Sequence, residues 1–124
     1  MRRILTAVAC SIALAALAGC GESEQEQARE VAQGYVDASN ADDFEAVCEL
    51  YSERFIEELG ATDCPAFVQE NSSGAESELE LVDVREKDGT ASADIDVVSE
   101  GGGPIRVGIR LEQEDGEWRI VGLQ

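Results

Sequence analysis

The apolar residues of this 124-residue chain change their period once, from 3.6 to 2, close to residue 75. A helix repeats its buried face every 3.6 residues, and a half-buried strand every second residue. Helices therefore come first and strands second, which argues against an alternating parallel α/β sheet and for an α+β arrangement.

In the helical half, Ser23-Glu24-Gln25-Glu26 has the S-x-x-E form of a capping box. It precedes an apolar stripe at Ala28, Val31, Ala32, Tyr35 and Val36, which predicts an amphipathic helix to about Ser39. Asn40-Ala41-Asp42 interrupts it, with Asp42 as the candidate N-cap of a second helix. That helix carries Phe44, Val47, Cys48, Tyr51, Phe55 and Leu59 along one face and stops at Gly60, with Ser52 a point where it would divide in two. Asp63-Cys64-Pro65 opens a further short helix, and Asn71-Ser72-Ser73-Gly74 is a loop.

In the second half, Leu79 and Leu81 alternate with acids, then Val82 and Val84 take over the opposite phase, which predicts a bulge. Asp88-Gly89 and Asp115-Gly116 are tight hairpin signals, and Glu100-Gly101-Gly102-Gly103-Pro104 is a longer turn. Between them run Ala91, Ala93, Ile95 and Val97, then Ile105, Val107, Ile109 and Leu111, then Trp118 and Ile120. The expectation is N-terminal helices packed on a curved four-stranded antiparallel meander with one apolar face. Asp94 and Asp96 fall on the other face, with Asp96 opposite Arg106 or Asp94 opposite Arg110 according to register. Ion pairs exposed in this way contribute little.

The two ends of the chain bear on address. Met1-Arg2-Arg3 precedes an apolar run from Ile4 to Leu17 that is too short to span a bilayer and ends at Leu17-Ala18-Gly19-Cys20. Those four residues resemble the lipobox of bacterial lipoproteins. The resemblance implies a signal peptide over residues 1–19, cleaved before Cys20, and acyl chains such as palmitate on Cys20. Two or more chains suffice for stable anchoring. Residues 20–22 would then be a short tether, holding the domain at 23–124 within roughly 10 Å of its anchor. Cys10 leaves with the signal. Cys48 and Cys64 remain as a pair in an oxidising compartment, which predicts a disulfide between the second and third helices. A metal site there lacks partners, since the chain has no histidine.

Charge narrows the partners. The formal net charge of −18 becomes −20 once Arg2 and Arg3 leave. Such a chain is repelled by phosphate, so nucleic acid is excluded as a partner, and acyl chains rather than headgroup attraction must hold it at a membrane. The absence of histidine removes imidazole acid–base chemistry and any Ser-His-Asp triad, leaving carboxylates and tyrosines as the remaining acid–base groups. Asp94-Ile95-Asp96-Val97-Val98 begins like a calcium loop but has valine at a ligand position. Gly101-Gly102-Gly103 joins two strands and opens no helix, so it is a turn and not a phosphate cradle.

The order of "VAQGYVDASNADDFEAVCELYS" and a terminal hairpin of the form acid-Gly-x-Trp-x-Ile, as in "EDGEWRIVGL", resembles the nuclear-transport-factor-2-like superfamily, also called SnoaL-like or cystatin-like. The likeness is to its small exported lipoproteins. It implies that the arrangement is cone-like, the sheet wrapping around the first helix to form a conical pocket, with Tyr35, Tyr51 and Trp118 as candidate pocket-lining residues. The fold hosts both enzymes and binding modules. The expected function is a lipid-anchored, extracytoplasmic binding or interaction domain of the bacterial envelope, without catalysis or cofactor. Its partner would be a small apolar ligand, an envelope protein or a second copy. The alternative is a small isomerase or cyclase using a pocket carboxylate or tyrosine.

Overall fold

Ser23 accepts a hydrogen bond from the Glu26 backbone N–H and starts α1 (Glu24–Asn40), as the capping box predicts. The computed structural model describes residues 23–72 and 77–124; the expected signal segment, the expected anchor Cys20 and the expected tether lie outside them. Ala28, Ala32 and Val36 form the buried face of α1.

The second predicted helix is two. α2 (Phe44–Leu50) is capped by Asp43, whose carboxylate accepts from Ala46 N–H. Asp42, the cap expected from sequence, instead takes a positive φ of 55° and makes the turn that frees Asp43 for the role. α3 (Glu53–Leu59) starts at the alternative point, with Ser52 Oγ accepting from Phe55 N–H. The division has a tertiary cause. Tyr51 is extended and bridges Ile120 of the last strand, and Ser52 N–H donates to the Ile120 carbonyl at 2.9 Å. A continuous helix would spend that N–H internally. α4 (Cys64–Asn71) follows, capped by Asp63 with Pro65 in its first turn. Cys48 of α2 and Cys64 of α4 are disulfide-bonded across 6.1 Å between Cα atoms.

β1 (Ser77–Lys87), β2 (Thr90–Ser99), β3 (Ile105–Glu114) and β4 (Glu117–Leu123) form an antiparallel sheet in sequence order. Asp88 and Gly89, then Asp115 and Gly116, all have positive φ, the condition of a two-residue turn that matches strand twist. The predicted bulge is Val82. Leu81 pairs with Ile95 and Asp83 with Asp94, so Val82 has no partner and is exposed. It lets Leu79 and Leu81 share a face with Val84. A second bulge, at Val121, had no signature in the alternation.

β1 is an edge strand, and α1 lies antiparallel along it. Asn40 donates to the Leu79 carbonyl at 2.9 Å and accepts from Leu79 N–H at 2.8 Å. Gln25 donates to the Val84 carbonyl and accepts from Glu86 N–H at 2.8 Å. Each side-chain amide thus satisfies backbone groups that an unpaired edge would leave open. The fifteen helical steps between Gln25 and Asn40 span about 22 Å. The facing length of β1 is about 20 Å, so both ends register.

On the outer face Asp96 pairs with Arg106 at 2.9 Å, the first of the two expected registers. Asp94 does not meet Arg110: it lies opposite Gly108, and Arg85 of β1 takes its carboxylate at 2.9 Å. Hydrogen bonds from Arg85 and Arg106 hold the Asp94 and Asp96 carboxyls below their ordinary range.

Asn40→Ala strands both polar groups of Leu79 and is expected to cost about 1–2 kcal/mol, read as a lower urea midpoint at unchanged slope. Alkylation without reduction should leave Cys48 and Cys64 unlabelled. Reduction should destabilise the fold by about 3 kcal/mol, and an unchanged midpoint would show that the bridge does not form in the protein as isolated.

Candidate functional site

The core closes at one end of the sheet and opens at the other. At the closed end, by the Asp88 and Asp115 turns, the buried residues of α1 and β2 are small: Ala28 and Ala32 facing a sheet that carries Ala91 and Ala93, all at 4% exposure or less. Alanines on both surfaces allow close approach. Toward the C-terminal end of α1 the helix presents Tyr35, and the layers part around a cavity of about 610 Å³. That volume lies in the range of small-molecule sites.

The four strands contribute Leu79, Val97, Val107 and Leu123, which all lie at the same end of the meander. The opposite wall comes from the helices, with Phe44 and Val47 of α2, Leu59 of α3 and Phe67 of α4. The disulfide ties α2 to α4 directly behind this wall. Polar groups gather at the mouth, where Ser39, Asn40, Asp42 and Asn71 stand. Asp42 is the single carboxylate among the described lining residues.

The chain has two tyrosines and both line the cavity. Their rings are 6.4 Å apart and tilted by 33°, and Phe55 meets Tyr51 edge-on at 5.0 Å. The extended backbone at Tyr51, pinned to β4, fixes the direction of its ring. Burial raises the pKa of Tyr35, while hydrogen bonds donated to it by Tyr51 and Ser39 partly oppose the rise. Burial also raises Tyr51, reinforced by Tyr35 beside it. Both phenols are therefore neutral at physiological pH and offer a hydrogen-bonding pair on an apolar wall.

Trp118 occupies a different place. It lies at the start of β4 beside the Asp115-Gly116 turn, 5% exposed, in the core at the closed end. Its indole N–H has no partner among the described residues. Sequence alternation puts Trp118 on the inner face but is silent on which end of the cone opens. The same silence hid the wall residues Phe44 and Phe67, which as aromatics on short helices read as packing, and Leu123, for which alternation carried no signal.

A second hollow, about 420 Å³, lies on the outside between α2, α3 and the β3–β4 turn. Its rim is acidic, with Glu49, Glu53, Glu114 and Glu117, and Arg119 is paired with Glu117. Among the described residues no group of three His, Cys, Asp or Glu side chains is arranged to hold a metal ion, and no helix is long and apolar enough to cross a membrane.

No family model and no curated protein matches the sequence. Solved structures do match in shape. An NTF2-like protein of unknown function from Shewanella baltica superposes with a TM-score of 0.58 at 17% identity, covering 79% of this chain and 88% of that one. A provisionally assigned ketosteroid isomerase from Kribbella flavida gives 0.58 at 18% identity over 82% and 77%. A provisionally assigned polyketide cyclase from Sinorhizobium meliloti gives 0.55 at 17% over 76% and 91%. With its helices packed on a four-stranded antiparallel sheet in this order, the chain has the NTF2-like fold.

Proposed function

We propose that this protein is a lipid-anchored, extracytoplasmic binding module that holds a small, largely apolar molecule in the cavity between α1 and the open end of the sheet. The observation that carries the reading is the cavity itself: about 610 Å³, walled largely by aliphatic and aromatic side chains, with two neutral phenols among them. A cone meant solely for packing would be filled at both ends.

The chemistry favours binding over turnover. A general base works best with a pKa near neutrality. The carboxylate at hand, Asp42, is exposed at the mouth, and burial moves both tyrosines further from that range. The isomerase or cyclase alternative draws on the Kribbella and Sinorhizobium structures and on the same open cavity. It would assign the Tyr35–Tyr51 pair as a hydrogen-bond donor to a substrate oxygen.

The anchor rests on Leu17-Ala18-Gly19-Cys20. Cys20 precedes the N-terminal end of α1, whereas the cavity mouth is at its C-terminal end, about 25 Å away along the helix. An anchored domain would thus present the mouth away from its own attachment point.

Intact-mass spectrometry of the protein from its native membrane should give a chain beginning at Cys20 with a diacylglyceryl mass, and Cys20→Ser should lose every acyl adduct. An unacylated wild-type chain would end the anchor reading. Native mass spectrometry of the same material is expected to reveal a small-molecule adduct that Val107→Trp, which fills the cavity, abolishes. An adduct indifferent to Val107→Trp would place the ligand elsewhere.

A further inference from the structure

We infer that the cavity selects its ligand by charge: it takes an apolar molecule that ends in a protonated amine and turns away the carboxylate of the same shape. The inference rests on the binding reading above and adds the ligand class to it. Three observations converge. First, no Lys or Arg lines the cavity among the described residues, and the undescribed segment 73–76, Ser-Gly-Ala-Glu, contains none. An anionic head entering there would meet only neutral donors, with no opposite charge to offset its desolvation. Second, five of the seven basic side chains among the described residues are engaged elsewhere, and the other two, Lys87 and Arg110, do not line the cavity. Arg29, Arg85 and Arg106 are bound to carboxylates of the strands, Arg54 to Glu58, and Arg119 to Glu117.

Third, the mouth carries Asp42 at the α1–α2 turn, where its φ is 55°, with the Ser39 hydroxyl and the Asn71 side-chain carbonyl as neutral acceptors in the same lining. An alkyl chain lying along Val97, Val107 and Leu79 would leave its head at that ring. The formal net charge of −18 adds a field of the same sign, which raises the local concentration of cations and lowers that of anions. The two phenols deeper in the wall stay neutral and do not compete for the charge.

The test uses the full chain bearing Cys20→Ser, so that no acyl group competes for the cavity. Tyrosine is replaced biosynthetically by 3-fluorotyrosine. Because both tyrosines of the chain line the cavity, every fluorine resonance reports on it. Octylamine, octanol and octanoate are titrated separately at neutral pH and low salt. The expected order is amine about three- to fivefold tighter than alcohol, the size of a part-exposed ion pair, and octanoate at least about tenfold weaker than octanol. Asp42→Asn should bring the amine-to-alcohol ratio to about one, and asparagine tolerates the same positive φ. Glu112→Gln, which removes the same charge from the outer sheet face, should leave the ratio unchanged.

Octanoate binding as tightly as octanol would overturn the charge selection while leaving the cavity as a binding site. An amine preference that survives Asp42→Asn, or falls equally with Glu112→Gln, would overturn the role of Asp42. Fluorine resonances that move with none of the three would overturn both this inference and the binding reading beneath it.

Discussion

The edge of β1 is the constraint on which the rest of the structure depends. A four-stranded meander has two open edges, and each exposes N–H and C=O groups that invite pairing with another chain. Here α1 closes one of them with the side-chain amides of Gln25 and Asn40, which reproduce the donor–acceptor pattern of a neighbouring strand. Because a helix rises about 1.5 Å per residue and a strand about 3.3 Å, only one placement satisfies both amides together. The Val82 bulge is part of the same arrangement, since it brings Leu79 and Val84 into the phase that lets both clamps and the inner face agree. With α1 fixed at both ends, its alanines settle at the closed end of the cone and Tyr35 stands over the open one.

The other edge is managed by a helix break. Tyr51 and Ser52 leave helical geometry to bridge Ile120 of β4, and Ser52 then caps the next helix with its own hydroxyl. One residue pair therefore terminates α2, covers part of the β4 edge, starts α3 and aims a tyrosine into the cavity. The buried hydroxyl of Ser52 is satisfied by the Phe55 N–H, so the break leaves no unpaired polar group at that side chain. The disulfide then holds α2 and α4 together as the far wall. A small domain gains rigidity around its cavity in this way without a larger core.

Charge and apolar surface are sorted with equal consistency. The outer sheet face carries the Asp94–Arg85 and Asp96–Arg106 pairs, and the inner face is aliphatic. Acids dominate the surface and five of the seven described bases are drawn into pairs, so the polar lining of the cavity is phenols, hydroxyls, amides and one rim carboxylate. The NTF2-like fold supplies the cone; what the cone accepts follows from these side chains.

Much of the architecture is local and was legible in the amino-acid sequence. The change of period, the capping box at Ser23, the Asp-Gly turns and the Val82 phase shift each act over a few residues, where backbone sterics and alternation decide the outcome. The pairing of Cys48 with Cys64 was legible because these are the two cysteines after residue 20 and the chain has no histidine to suggest a metal site. What only tertiary structure decided depends on residues far apart in the chain. The second helix divided at Ser52 because Ile120 offered that residue's N–H a carbonyl. Asp94 found Arg85 and not Arg110, since the register places Gly108 opposite it. Tyr35 and Tyr51 meet in a cavity while Trp118, on the same apolar face as Ile120, lies at the closed end. Alternation reports the face of a strand and carries no information about which end of the sheet a helix leaves uncovered; that is set by the size of the side chains between the layers and by two amides reaching across to an edge.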